Sequence, residues 1–357
     1  MLTLTVDDGN RGSEMSIRVI ALILGTVVIG GCALFQGEPT ADLEDDFETR
    51  VSRYFEDALE PLQSDGSLPA IVGSGGCQIS DELRDEFNSL VPLSSAAQAA
   101  AEARHAKYGL PIDTIGGDLD ILLHHDRYVI GYNSDLKTPV VASYFLNEDD
   151  IIEGGDRKTC FREDHRLDES ERSRLIDYDF QITGFDRGHL VPDADLQATE
   201  ADAINSYFMS NMMPQHKSFN RGVWRVLEAA VRLWADERDS VHVITGVIFD
   251  RDENGERDAE EDAERAPPTR NVAVATAFYK IIVNEQSDGS LDAIAFTLPH
   301  TFTSTAPNVD YITENIVSID SIETVTGYDF FPELNDTLED QLEAMVSPDL
   351  WCRRRCG

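Results

Sequence analysis

Five strand-patterned segments, at residues 127–132, 139–146, 241–249, 272–283 and 293–298, constrain the fold of this chain more than any other feature. Each is dominated by Val, Ile, Ala and aromatic residues. The first two flank a turn signal at Asn133-Ser134-Asp135, which predicts a β-hairpin. Helical periodicity appears at 202–208, 221–235 and 337–346. Strands and helices do not alternate in the regular way that builds parallel βαβ units, so an α+β fold is expected. Hydrophobic residues make up 41% of the 357, enough for a sizeable core, which excludes general disorder. There are no internal repeats.

Upstream of the strands the chain reads differently. Residues 19–31 are its longest apolar run and follow Arg18. At about 13 residues the run is too short to span a bilayer but fits the apolar part of a signal peptide. It ends in Ile29-Gly30-Gly31-Cys32, which resembles a bacterial lipobox. That predicts lipidation at Cys32, membrane contact through the lipid alone, and a place in the cell envelope: outer membrane, periplasm or cell surface. Asp7, Asp8 and Glu14 suit a signal peptide poorly, which makes Met15 a candidate start. The expected organisation is an upstream segment and signal at 1–31, an acidic helical extension at 32–103, the main domain at 104–348, and a Cys-containing tail at 349–357. In an oxidising compartment Cys77, Cys160, Cys352 and Cys356 are expected to form disulfides, with three pairings open.

The chemistry concentrates in one stretch: Gly184-Phe-Asp-Arg-Gly-His-Leu-Val-Pro192, then Ser210-Asn-Met-Met-Pro-Gln215, then Asn220-Arg-Gly-Val-Trp-Arg-Val-Leu-Glu228. An imidazole titrating near neutrality can take a proton from water. A guanidinium beside it can grip an anionic oxygen in a fork. Asn220, Trp224 and Glu228 are four apart and share one face of a helix. An amide oxygen and a carboxylate are hard ligands suited to Mg²⁺. On one unbroken helix eight residues span about 12 Å, too far for both groups to touch one ion. Either Asn220 sits at the helix start, or Glu228 acts through water. Base, cation and hard metal together point to phosphodiester hydrolysis.

These residues closely resemble the DNA/RNA non-specific endonuclease family of the ββα-metal superfamily, which includes secreted bacterial nucleases and the endonuclease G type. The family hallmark stands here as Asp186-Arg187-Gly188-His189, with Asn220, Glu228 and Arg232 at matching intervals. An upstream Arg matches Arg157, and residues 319–333 look like the family's closing segment. The resemblance runs from about Lys107 to Leu334. It implies a central, mostly antiparallel sheet flanked by helices. It also implies that His189 is the general base, that Asn220 is the direct ligand of one Mg²⁺ (or Mn²⁺), and that Glu228 holds that ion through water. Arg157, Arg187 and Arg232 would contact phosphate, Asn211 and Gln215 would shape the site, and DNA and RNA would be the substrates. Two other readings compete: a phosphodiesterase or phosphatase for smaller esters, and a non-catalytic, acidic, Ca²⁺-binding lipoprotein. The intact His189, Asn220 and Glu228 set disfavours the latter.

Between two strand-patterned segments lies a second candidate metal site. Asp250, Asp252, Asn254, Glu256, Asp258 and Glu261 occupy the ligand positions of a Ca²⁺ loop, with Gly255 at its sharp turn. Arg257 is out of character there. The loop adds to a formal net charge of −38, from 67 Asp and Glu against 29 Lys and Arg. So acidic a balance argues against a basic nucleic-acid-binding module. Residues 151–250, however, hold 19 acids against 12 bases, so most of the excess lies away from the motifs. A local cationic groove on an acidic body is the expectation.

Overall fold

The computed structural model describes residues 92–151, 160–179, 184–301, 309–347 and 351. The signal-like run, Cys32, Cys77, Arg157, Cys352 and Cys356 lie outside them. No helix among the described residues is long and apolar enough to cross a membrane.

Seven strands form one sheet: β2 (Ile121–His124), β3 (Val129–Asn133), β4 (Thr138–Asn147), β7 (Ser240–Ile248), β8 (Ala277–Glu285), β9 (Leu291–Pro299) and β10 (Ile316–Val317). Their order is β10-β9-β8-β7-β4-β3-β2, and every neighbouring pair is antiparallel. The 127–146 hairpin forms as β3 and β4. Two details differ from the sequence reading. The strand expected from 272 begins only at Ala277, because residues 272–276 leave the ladder to hydrogen-bond neighbouring loops and strand ends, Ala273 N–H to Leu136 and Val274 N–H to Glu264. Strands β2 and β10 have no counterpart among the expected segments: their four and two residues are too few to show a period.

The central strands are buried on both faces. Eight of the nine residues of β8 are buried, as are all five of β3, so they read as apolar runs rather than alternating ones. One cover is helix α1 (Ser95–His105), capped by the Ser94 hydroxyl, which accepts from Ala97 N–H. The domain boundary expected at residue 103 falls inside this helix. Next in the chain come the two-stranded ribbon β5 (Phe185–His189) and β6 (Met212–His216), with the short helix α2 (Glu200–Asn205) between them. Helix α3 (Arg225–Glu237) lies against β4 and β7. It buries Val226, Leu227, Ala230, Val231, Leu233 and Trp234, and truncating one of its large side chains to Ala would cost about 2–5 kcal/mol. Helices α4 (Val309–Glu314), α5 (Ile319–Thr326) and α6 (Asp336–Glu343) follow β9. A second small ribbon pairs β1 (Ile112–Asp113) with β11 (Tyr328–Asp329).

Candidate active site

His189 is the last residue of β5 and Arg187 stands two before it, so both project from one face of the ribbon. The Phe161 ring lies against both, 4.9 Å from the Arg187 guanidinium and 6.1 Å from the imidazole. Tyr207 meets the imidazole edge-on at 4.9 Å, and its hydroxyl donates to Asp193 at 2.9 Å. Arg187 also donates to the Tyr178 carbonyl, and burial lowers its pKa. Gly188 is required by its neighbour: a Cβ there would overlap the Gln215 side chain. Gln215 is fully buried, and neither amide atom has a hydrogen-bond partner among the described residues.

Asn211 is a strut rather than a surface group. Its side chain accepts from Val191 N–H and donates to the Val191 and Ser206 carbonyls, each at 2.9 Å. The backbone is thereby fixed immediately after His189.

The helix expected at 221–235 does not begin at 221. After the single turn Lys217–Phe219, residues Asn220–Trp224 form a π-helical turn in which Gly222 leaves helical geometry, and α3 starts only at Arg225. The shared helical face of Asn220, Trp224 and Glu228 is therefore broken, and Asn220 sits ahead of the helix. Trp224 packs in the core. The Asn220 amide donates to Asp186 at 3.1 Å, while Arg221 grips both oxygens of the same carboxylate at 2.7 and 2.8 Å. With its nitrogen committed to Asp186, the Asn220 amide has its oxygen as the atom that could meet a hard cation.

Glu228 lies one turn before Arg232, in a charged cluster inside the fold. Arg232 is only 7% exposed and pairs with the buried Asp195 at 2.7 Å, and Asp195 also accepts from Tyr144 at 2.8 Å. The phosphate-contacting position expected of Arg232 is thus occupied in part by an internal carboxylate. Beneath Glu228 stands Lys280 of β8, fully buried, donating to Thr245 and lying 4.5 Å from the Trp224 ring. Burial pushes the Glu228 carboxyl up to about 7, with Lys280 and Arg232 opposing it. Burial likewise draws Lys280 down to about 8 against the pull of Glu228 and Asp195. Sequence reasoning missed Lys280, Asp195 and Tyr144. The signal available was a lone cation inside the apolar run Ala277-Phe-Tyr-Lys-Ile-Ile-Val283.

In the acidic loop, Asp250, Asp252 and Asp258 bring carboxylate oxygens within 4.8 Å of one another. Gly255 takes φ +84°, and the Asp250 carboxylate accepts from the Asn254 and Gly255 amides. Glu261 lies in the following turn, Glu260–Asp262, outside that trio. Arg257 leaves the loop altogether: it pairs with Asp113 at 2.9 Å and Asp118 at 3.3 Å, under the Tyr328 ring. Its guanidinium pins the loop to the body.

An antiparallel sheet flanked by helices, bearing this ribbon and turn, is the architecture of a ββα-metal nuclease. Residues 108–337 match the DNA/RNA non-specific endonuclease family, and the chain belongs to it. It is 32% identical over 225 residues to nuclease C1 of Cunninghamella echinulata var. echinulata, covering 61% of this chain and 86% of that protein. Against mitochondrial endonuclease G of Homo sapiens the identity is 29% over 231 residues, 64% of this chain and 73% of that one. Ectonucleotide pyrophosphatase/phosphodiesterase family member 3 of Rattus norvegicus is 25% identical over 289 residues, 72% of this chain but 32% of that protein. Membership makes the chain an enzyme of the nuclease and phosphodiesterase kind, and its acidic clusters are of a type that holds divalent metal.

Proposed function

We propose that the chain is an endonuclease hydrolysing DNA and RNA without sequence preference, with His189 as general base. Asn220 would hold one Mg²⁺ (or Mn²⁺) directly, and Glu228 would do so through water. The observation that carries this reading is the Asp186 clamp: it fixes the Asn220 amide so that an oxygen is free for a hard cation, on the strand that ends in His189. His189 takes the proton of the attacking water as the new P–O bond forms and the ester P–O bond breaks. Arg187 holds a non-bridging oxygen. A bound Mg²⁺ supplies positive charge at the phosphate and at the leaving oxygen.

The same reading places Ca²⁺ in the 250–261 loop as a structural ion, a lipid on Cys32, and disulfides among Cys77, Cys160, Cys352 and Cys356 in the cell envelope. Of these cysteines Cys160 is buried beside Tyr207 and Phe208, in surroundings where a disulfide is sheltered. The 25% relatives named as phosphodiesterases favour a second reading, hydrolysis of smaller phosphate esters. Both are tested by incubating the whole protein with plasmid DNA, RNA and a nitrophenyl bis-ester, with Mg²⁺ and with EDTA. Rapid Mg²⁺-dependent loss of both polymers is expected. Turnover of the bis-ester alone would favour the second reading, and no hydrolysis with any divalent ion would remove both.

A further inference from the structure

Among the described residues, two of the three groups of clustered carboxylates lie in the C-terminal corner of the fold. Helix α5 presents Asp320 and Glu323 three apart, β11 adds Asp329, and α6 presents Glu339 and Glu343 four apart. Carboxylate oxygens of Asp320, Glu323 and Glu343 lie within 4.8 Å of one another, and so do those of Asp329, Glu339 and Glu343. Glu343 belongs to both groups and joins them. It is 6% exposed, and its Oε1 is buried without a hydrogen-bond partner among the described residues. Glu323 Oε1 accepts from Phe330 N–H at 2.8 Å, which fixes its carboxylate.

Among the described residues, the neighbouring stretch of chain offers no Lys or Arg to neutralise this charge. Residues 281–352 contain 14 Asp and Glu and not one Lys or Arg. Among the described residues, none of the five carboxylates forms an ion pair with a base. An isolated ionised carboxylate is expensive to bury, and the two remedies are a shared proton or a cation.

From this geometry we infer a Ca²⁺ site, bridged by Glu343, that ties α5 and α6 together and is distinct from both the Asn220 centre and the 250–261 loop. Ca²⁺ suits it better than Mg²⁺. Ca²⁺ accepts six to eight oxygens in irregular geometry, whereas Mg²⁺ demands a near-ideal octahedron and keeps its waters. Each trio brings three carboxylates from two elements, with Glu343 common to both, and the remaining positions of a Ca²⁺ ion would fall to waters or carbonyl oxygens. The ion's role would be structural, holding the last two helices to the body.

The test is Ca²⁺ binding to the whole chain after EDTA treatment and desalting, measured by equilibrium dialysis alongside thermal unfolding. Asp252→Asn serves as the background that disables the loop. In that background one Ca²⁺ per chain should remain, and it should be lost with Glu343→Gln or with the exposed Asp320→Asn, so that a folding failure in one variant leaves the other. Saturating Ca²⁺ should raise the Tm of the Asp252→Asn protein by about 5 °C and leave Asp252→Asn/Glu343→Gln unmoved. Mg²⁺-supported nuclease activity should stay within about twofold of the parent in the Glu343→Gln single variant. Equal Ca²⁺ stoichiometry with and without Glu343→Gln would overturn the proposal and leave a shared proton as the remedy.

Discussion

The ribbon region and the C-terminal corner use the same side chains to opposite ends. Around β5 and α3 three buried or half-buried acids are matched: Asp186 with Arg221, Asp195 with Arg232, Asp164 with Arg166 at 2.6 Å. Each pair fixes a neighbouring group, Asn220 in the first case and the Arg232 side chain in the second. In the corner, five carboxylates crowd together with no base among them. A matched acid shapes a site, and an unmatched acid calls for a cation.

The contrast is broken most severely by Asp195→Asn. It leaves Arg232 buried beside Lys280 with its carboxylate gone, and about 3–5 kcal/mol of stability should be lost in urea denaturation. Glu343→Gln in metal-free protein should cost nothing or stabilise slightly, because it removes a crowded charge. Similar losses from the two substitutions would dissolve the distinction. Asp186→Ala comes next. Without the clamp the Asn220 amide can turn, so the Mg²⁺ concentration for half-maximal activity should rise about 10- to 100-fold. An unchanged Mg²⁺ dependence would show that Asp186 supports only the ribbon.

Acid sharpens the comparison further. Burial lowers His105 to about 3, and His242 and His300 to about 4. His300 is held neutral by accepting from His216 N–H at Nε2. The unfolded chain takes up these protons below about 6.5 and the folded chain does not, so stability is whole above that pH and falls as pH drops toward 4. His300 alone should contribute about 2 kcal/mol of loss at pH 5. His300→Gln should flatten the urea midpoint against pH between 6.5 and 4.5. In the metal-free acidic corner, protonation relieves crowding instead. An acid profile unaltered by His300→Gln would place the loss elsewhere.

Much of this was legible in the sequence where the signal is local. The β3–β4 hairpin announced itself by two apolar runs and a turn, and the α+β class by the order of elements. Asp186 to His189 and Asn220 to Glu228 stood in recognisable spacing, but what each side chain touches depends on partners far along the chain. Asp195 meets Arg232 across 37 residues, and Lys280 meets Thr245 across 35. No window of sequence shows such pairs. The π-turn was hidden because Gly222 is tolerated in a helical pattern, and only tertiary packing decides that it breaks the helix there. The acidic corner was hidden too: α5, β11 and α6 each show a few ordinary acids, and only the fold gathers them.

The central claim rests on His189. In the Mg²⁺-loaded protein, His189→Ala should lower the initial rate of plasmid cleavage by about 10²- to 10⁴-fold with the Tm and Mg²⁺ binding unchanged. A variant that cleaves within a few-fold of the parent rate would contradict the account, because no proton acceptor would then stand where it places one.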